Sequence, residues 1–219
     1  MPHTLAGDKG EPLFSAEADS SKESTAIRPD VHRAIFRDTS HLIGESLPHI
    51  ELKSTPSPSR PNLPRHIDIS STHANSIICI LPAMYDARLE RRNAMWRAGW
   101  EEITGGYSCQ TELKTLERNI AAIRANGLSL AIVSGQSIPT VPVKERGVDL
   151  IWDQEGSFTR MLGLPALRYQ GEAFHPRVTM LVQNGKVVRA FSATKDFTAS
   201  LKELLSLTQQ SASTSDKPH

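Results

Sequence analysis

"QTELKTLERNIAAIRANGLSLAIVSG", residues 110–135, decides the fold. Its first half spaces Leu113, Leu116, Ile120 and Ile123 three or four residues apart, which sets them on one face of a helix, and Gly127 offers the left-handed residue that ends it. The run "LSLAIV" that follows is apolar without alternation, the pattern of a strand covered on both faces. A helix feeding such a strand is half of a parallel βαβ unit.

Working outward, "SIICILPAM" at 76–84 supplies the preceding buried strand and "VDLIWD" at 148–153 a third one. Between the second and third strands, "PTVPVKERG" at 139–147 has room for one or two turns of helix. "EGSFTRMLGL" at 155–164 reads as a short helix with Phe158, Met161 and Leu162 inward. "RVTMLVQNGKVVRAF" at 177–191 is two alternating strands joined by Asn184-Gly185, the pair that a two-residue type I′ hairpin turn demands. "KDFTASLKELLSL" at 195–207 closes with an amphipathic helix, Asp196 as its N-cap and Phe197, Leu201, Leu204 and Leu205 on one side. The order is strand and helix three times over, then a hairpin and a last helix. It predicts an α/β chain of thioredoxin-like fold, a mixed central sheet with helices on both faces.

The flanks read differently. Residues 1–26 are rich in Ser, Glu, Asp, Lys and Gly, and bury too little to offset the entropy of ordering. In "DVHRAIFRDTSHLIGESL" the spacing of Val31, Ile35, Leu42 and Ile43, after Asp30, predicts a short helix within 30–46. "STPSPSRPNLPRH" at 54–66 holds four prolines among serines and reads as a linker or extended strap. We therefore expect a largely disordered or extended segment over 1–60, a folded domain over 61–208 and a polar disordered tail over 209–219.

Composition narrows the function. The 25 basic and 24 acidic residues leave no bulk cationic field, which argues against a nucleic-acid or anionic-membrane partner. The apolar runs fall far short of the roughly 20 residues of a membrane helix, and the N-terminus has no signal-peptide core. A reducing compartment, the cytoplasm, is the expected location. Two cysteines, Cys79 and Cys109, make no disulfide framework and no zinc spacing. His3, His32, His41, His49, His66, His73, His175 and His219 show no metal-binding spacing either, so no metal or cofactor is expected. Trp100, four residues after Trp96, reads as packing.

In an open parallel sheet, reactive groups gather at the carboxyl ends of the strands. Cys109 stands after the strand at 76–84 and immediately before the helix that leads into "LSLAIV". Free N–H groups and the dipole at a helix start stabilise an anion, lowering a cysteine's pKa below its free value of about 8.5. Gly105 and Gly106 let the backbone approach a small substrate and present N–H donors to developing charge. Position alone leaves two readings of Cys109 open, a nucleophilic thiolate and a small buried hydrophobe. Cys79, inside an unbroken apolar strand, reads as core.

Four segments, "GWEEITGGYSCQTE", "LSLAIVSGQS", "DLIWDQEGSFTRMLGL" and "FHPRVTMLVQNGKVVRAF", together resemble the peroxiredoxin-like (alkyl hydroperoxide reductase and thiol-specific antioxidant) branch of the thioredoxin superfamily, over about residues 64–207. The resemblance implies a thiol-dependent peroxidase acting on hydrogen peroxide or organic hydroperoxides, with no cofactor, and is compatible with a homodimer. It matches Cys109 to the peroxidatic cysteine, Arg177 to the arginine that reaches the thiolate from a neighbouring strand, and Glu112 to the acid or amide of "C-T-x-E/Q". His175 lies two residues before Arg177, near enough to share the site.

Departures from the family pattern sharpen the reading. Gly106 and Glu102 stand where the family motif P-x-x-x-T-x-x-C carries Thr and Pro, so the hydroxyl that would bond the peroxide must come from elsewhere, with Thr104, Tyr107 and Ser108 as candidates. Lys114 occupies the place of a resolving cysteine found in the related subgroup. The implied enzyme is of one-cysteine type, reduced by an external thiol: thioredoxin, glutaredoxin or a low-molecular-weight thiol. The alternative is a thioredoxin-fold protein without robust peroxidase turnover, a specialised thiol oxidoreductase or partner-binding scaffold.

Overall fold

Continuous burial of residues 76–80 needs cover on both faces of the strand they form, and two separate hydrophobic clusters supply it. The computed structural model describes residues 38–55, 65–82, 99–100, 109–135, 148–169, 171–192 and 196–214. Strands β1 (Glu51–Ser54), β2 (Arg65–Asp68), β3 (Ser76–Ile80), β4 (Ser129–Ser134), β5 (Val148–Trp152), β8 (Val178–Gln183) and β9 (Lys186–Ser192) form one sheet in the order β2-β1-β5-β4-β3-β8-β9. β3, β4 and β5 run parallel, and β8 runs antiparallel to β3. Helices α1 (Ile69–Thr72), α2 (Cys109–Ala125), α3 (Ser157–Met161) and α4 (Phe197–Thr214) complete the described elements, with a small hairpin of β6 (Leu167–Tyr169) and β7 (Glu172–Phe174).

Side chains alternate across the sheet with period two. Ile77, Cys79, Leu130, Ile132, Leu150 and Leu181 face Leu113, Leu116, Ile120 and Ile123 of α2 and Leu201 and Leu204 of α4. Ile78, Ile80, Ala131, Val133, Ile151, Val178 and Met180 face the other way, against Phe158 of α3, Ile69 of α1 and the N-terminal segment. Both faces carry helix, as the apolar runs require. Gly127 (φ +70°) ends α2, and the Asp196 carboxylate accepts from Ala199 N at 2.9 Å to cap α4. The hairpin turn has positive φ at both Asn184 and Gly185, the type I′ geometry.

The structure departs from four expectations. The helix expected within 30–46 is not formed by its described part: a 3-10 turn spans Ser40–Leu42, and Gly44 at φ +87° breaks helical continuation. Nor does the folded unit begin at 61. Thr39 Oγ donates to Ala190 O (3.0 Å), and backbone bonds tie Gly44, Glu45 and Leu47 to the start of β9. Leu42 and Leu47 then enter the core, and β1 joins the sheet on the far side of β5. The segment is a strap laid across one face from the β9 edge to the β2 edge. At the other end α4 continues to Thr214, past the expected boundary at 208. Within α3, Met161 is 58% exposed while Phe158 and Leu162 are buried. The one-residue offset from Leu162 turns Met161 out of so short a helix. The expected helix at 139–147 lies outside the described residues.

Leu42, 1% exposed, shows what the strap contributes. Leu42→Ala is expected to cost about 2–5 kcal/mol in urea unfolding, the range for a buried leucine. A loss of about 0.5 kcal/mol or less, typical of surface positions, would mean that the strap is peripheral.

The amino end of the sheet holds a polar network. His73 is fully buried, with Nδ1 3.1 Å from Ser129 Oγ and Nε2 3.3 Å from Asp149 Oδ2. Asp149 on β5 also pairs with Arg65, which reaches across from β2. This network fastens β2 to the parallel strands at the end opposite the carboxyl edge.

Candidate active site

The parallel register of β3, β4 and β5 brings their carboxyl ends to one edge, and the antiparallel β8 begins there. Four sequence segments therefore meet: the start of α2, the residue after β4, the residue after β5 and the approach to β8. Ile80 lies opposite Val178, so Arg177 sits one step beyond the end of β3. Residues 101–108 lead into α2 and lie outside the described residues, among them Thr104, Gly105, Gly106, Tyr107 and Ser108.

Cys109 is the first residue of α2, 5% exposed, and packs in the cluster of Leu81, Leu113 and Cys79. Glu112 stands one turn along the same helix and is buried. Arg177, also buried, places its Nε 2.9 Å from Glu112 Oε2. The guanidinium thus lies against the first turn of the helix that Cys109 opens. Burial pushes the Glu112 carboxyl above the usual carboxylate range, against the downward pull of Arg177. A cavity of about 10 Å³, roughly one water's room, is walled by Glu112, Arg177, Thr179 and Ser200.

Cys79 lies in the same cluster but in a different electrical setting. Complete burial in β3 raises its thiol to about 12; a hydrogen bond from Thr179 Oγ at 3.7 Å lowers it, and the Glu112 charge raises it further. It stays protonated at neutral pH, as its place in the strand predicted. A second cavity of about 350 Å³ shares Arg177 as a wall and opens beside Pro176 and Val178, with Thr39, His41 and Leu164 around it. Cys109 is not among its described walls, so its volume does not locate the thiol chemistry.

The arrangement of this sheet is shared with solved structures. At a TM-score of 0.55 and 14% identity, peroxidoxin BcpB from Mycobacterium tuberculosis matches 77% of this chain and 96% of its own. The fold is that of the peroxiredoxins. AhpC of Enterococcus faecalis matches 81% of this chain and 98% of its own, with a TM-score of 0.56 and 15% identity. Reduced Prx3 of Vibrio vulnificus in complex with hydrogen peroxide matches 76% and 98%, at 0.53 and 18% identity. Neither a protein-family model nor a curated protein sequence matches the chain. The shared portion of the peroxiredoxin fold exceeds what residues 64–207 could supply, in keeping with a strap that belongs to the folded unit.

Of the residues expected at the site, the peroxiredoxin fold here brings Cys109, Glu112 and Arg177 to one sheet edge. His175 is at the same edge, with Nε2 3.3 Å from Asp153 Oδ2. Asp153 had no part in the sequence reading beyond ending a strand; its place directly after β5, at a carboxyl end, is the signal that would have marked it. Trp100 packs against Phe174 (ring centroids 4.6 Å apart) and Tyr169 (5.8 Å), the packing role expected of it. Among the described residues no group of three or more His, Cys, Asp or Glu side chains converges to hold a metal, and no described helix is long and apolar enough to cross a membrane.

Proposed function

We propose that the chain is a thiol peroxidase with Cys109 as its nucleophile. The observation that carries the reading is the buried Arg177–Glu112 pair at 2.9 Å on the first turn of α2. The pair holds the Arg177 guanidinium, a positive group, beside a helix N-terminus that already favours an anion at Cys109. The Cys109 thiolate attacks the terminal oxygen of a hydroperoxide, the O–O bond breaks, and the leaving alkoxide or hydroxide takes up a proton. The products are Cys109 sulfenic acid and an alcohol or water. An external thiol condenses with the sulfenic acid, releasing water. A second thiol then frees Cys109 and leaves the reductant as a disulfide.

Arg177 stabilises the thiolate and presents donors to the peroxide oxygens, while Glu112 orients the guanidinium. With Cys79 protonated and fully buried, the enzyme is of one-cysteine type. Thioredoxin, glutaredoxin or a low-molecular-weight thiol serves as reductant, in the cytoplasm, and a homodimer suits the fold.

The second reading, a thioredoxin-fold protein without peroxidase turnover, is favoured by the 5% exposure of Cys109 and by Gly106 at the position of the family's threonine. One experiment separates them: hydrogen peroxide oxidation of Cys109 timed by mass spectrometry. Sulfenic acid formation far faster than in free cysteine supports the peroxidase. Oxidation no faster than free cysteine overturns it.

A further inference from the structure

The Asp153–His175 pair takes no part in the chemistry proposed above, yet it occupies the same sheet edge. Asp153 is 1% exposed and is fixed to β4, to α3 and to His175 at once. Its amide donates to Ser134 O at the end of β4 (2.9 Å); its Oδ1 accepts from Ser157 N (2.7 Å) and its Oδ2 from Thr159 N (3.4 Å), which caps α3. His175 Nε2 approaches the same Oδ2 at 3.3 Å. Burial raises the Asp153 carboxyl, but the His175 contact and the α3 amides outweigh it and hold the group below its ordinary value of 3.8. Asp153 is thus a buried carboxylate with His175 as its ring partner.

The imidazole is also held by shape. A Cβ at Gly135, directly after β4, would stand 3.2 Å from His175 Cε1, and one at Gly156 would stand 3.8 Å from it. Gly135 leaves the ring its seat, while at Gly156 a Cβ would make only ordinary contact with the ring and the glycine is required by its φ of +67°. On one side of His175 in the chain, Phe174 is packed on Trp100. On the other, Arg177 follows after a single proline. Two residues of extended chain span about 7 Å, and Pro176 fixes its own φ, so a displaced His175 displaces the backbone of Arg177.

We propose that His175, clamped by Asp153, is a positioning residue for Arg177: it fixes the backbone from which the guanidinium reaches the first turn of α2. Through that placement it sets how strongly the guanidinium favours the Cys109 thiolate. The inference rests on the thiolate reading of Cys109 and adds to it a connection from the ends of β4 and β5 to the site arginine. A purely structural role would lower stability in a His175 variant and leave the ionisation of Cys109 in the folded protein where it was.

The test is the pH profile of Cys109 alkylation by iodoacetamide in full-length protein, followed by mass spectrometry. His175→Ala is expected to move the midpoint upward by about one unit, a roughly tenfold loss of thiolate at pH values below both midpoints. His175→Gln, which retains a donor toward Asp153, is expected to stay within about threefold of wild type, less than half of one pKa unit. Should His175→Ala fail to fold, Gly135→Ala presses a methyl group on the imidazole and is expected to move the midpoint in the same direction. A low wild-type midpoint that neither His175→Ala nor Gly135→Ala moves overturns this inference and leaves the thiolate reading standing. A wild-type midpoint at the free-cysteine value of about 8.5 overturns both.

Discussion

Cys109→Ser is expected to reduce thiol-dependent peroxide consumption to the uncatalysed background, while Cys79→Ser keeps most of it. The asymmetry follows from where the two sulfurs sit. Cys109 opens a 17-residue helix whose dipole stabilises an anion, with the Arg177 guanidinium against the same turn. Cys79 is fully buried in β3, its thiol raised to about 12, so at neutral pH it offers almost no thiolate to attack a peroxide. Each serine places a hydroxyl in an apolar cluster, at a stability cost of about 1–3 kcal/mol. Activity is therefore to be compared at a temperature where both variants remain folded. The measurement is peroxide consumption with dithiothreitol as reductant, alongside circular dichroism. Turnover surviving in Cys109→Ser would remove the nucleophile from this site.

Arg177→Met carries the second large effect, and it falls on stability as well as on chemistry. The substitution leaves the buried Glu112 without the cation 2.9 Å from it. Breaking a buried pair by removing one partner costs about 3–5 kcal/mol near neutral pH. The sign with pH follows from Glu112, whose carboxyl burial already raises and Arg177 pulls down. Without Arg177 the folded-state value rises further above the unfolded one. The stability contributed by the protonated acid is then present below the unfolded value of about 4.3 and is lost as pH rises through the folded value. The variant should thus approach wild-type stability in acid and lose it toward neutrality. Glu112→Gln added to Arg177→Met should flatten that dependence. Urea midpoints between pH 4 and 8 measure both; a destabilisation independent of pH would show that the two side chains are not electrostatically coupled.

What could be read in the sequence follows the range of the forces involved. β3, α2, β4 and the β8–β9 hairpin announce themselves through local periodicity and a two-residue turn, so their signal is complete within a dozen residues. β1 and β2 are four residues each, "ELKS" and "RHID", with one large buried side chain apiece, Leu52 and Ile67. Their identity as strands comes from pairing across the sheet, which no local pattern encodes. For the described part of the helix expected within 30–46, Gly44 was a local warning, placed where a helix would have to continue. At the site, the family resemblance matched Cys109, Arg177 and Glu112. The Arg177–Glu112 contact and the Asp153–His175 clamp depend on chain segments 65 and 22 residues apart, brought together only by sheet order.

The strap has a consequence for how the protein is made. Thr39 bonds to a carbonyl 151 residues later in the chain, and Ser54 of β1 pairs with Ile151. Contacts of such sequence separation are closed late, after the loop entropy of the intervening chain has been met. On a ribosome adding roughly 5–20 residues per second, Leu42, Leu47 and Leu52 leave the tunnel well before β5, β8 and β9 exist to cover them. For several seconds these leucines form an uncovered apolar stretch on every nascent chain. Completion of the β8–β9 hairpin ends that exposure, so a truncation before β9 would leave Leu42 and Leu47 without the strand that covers them.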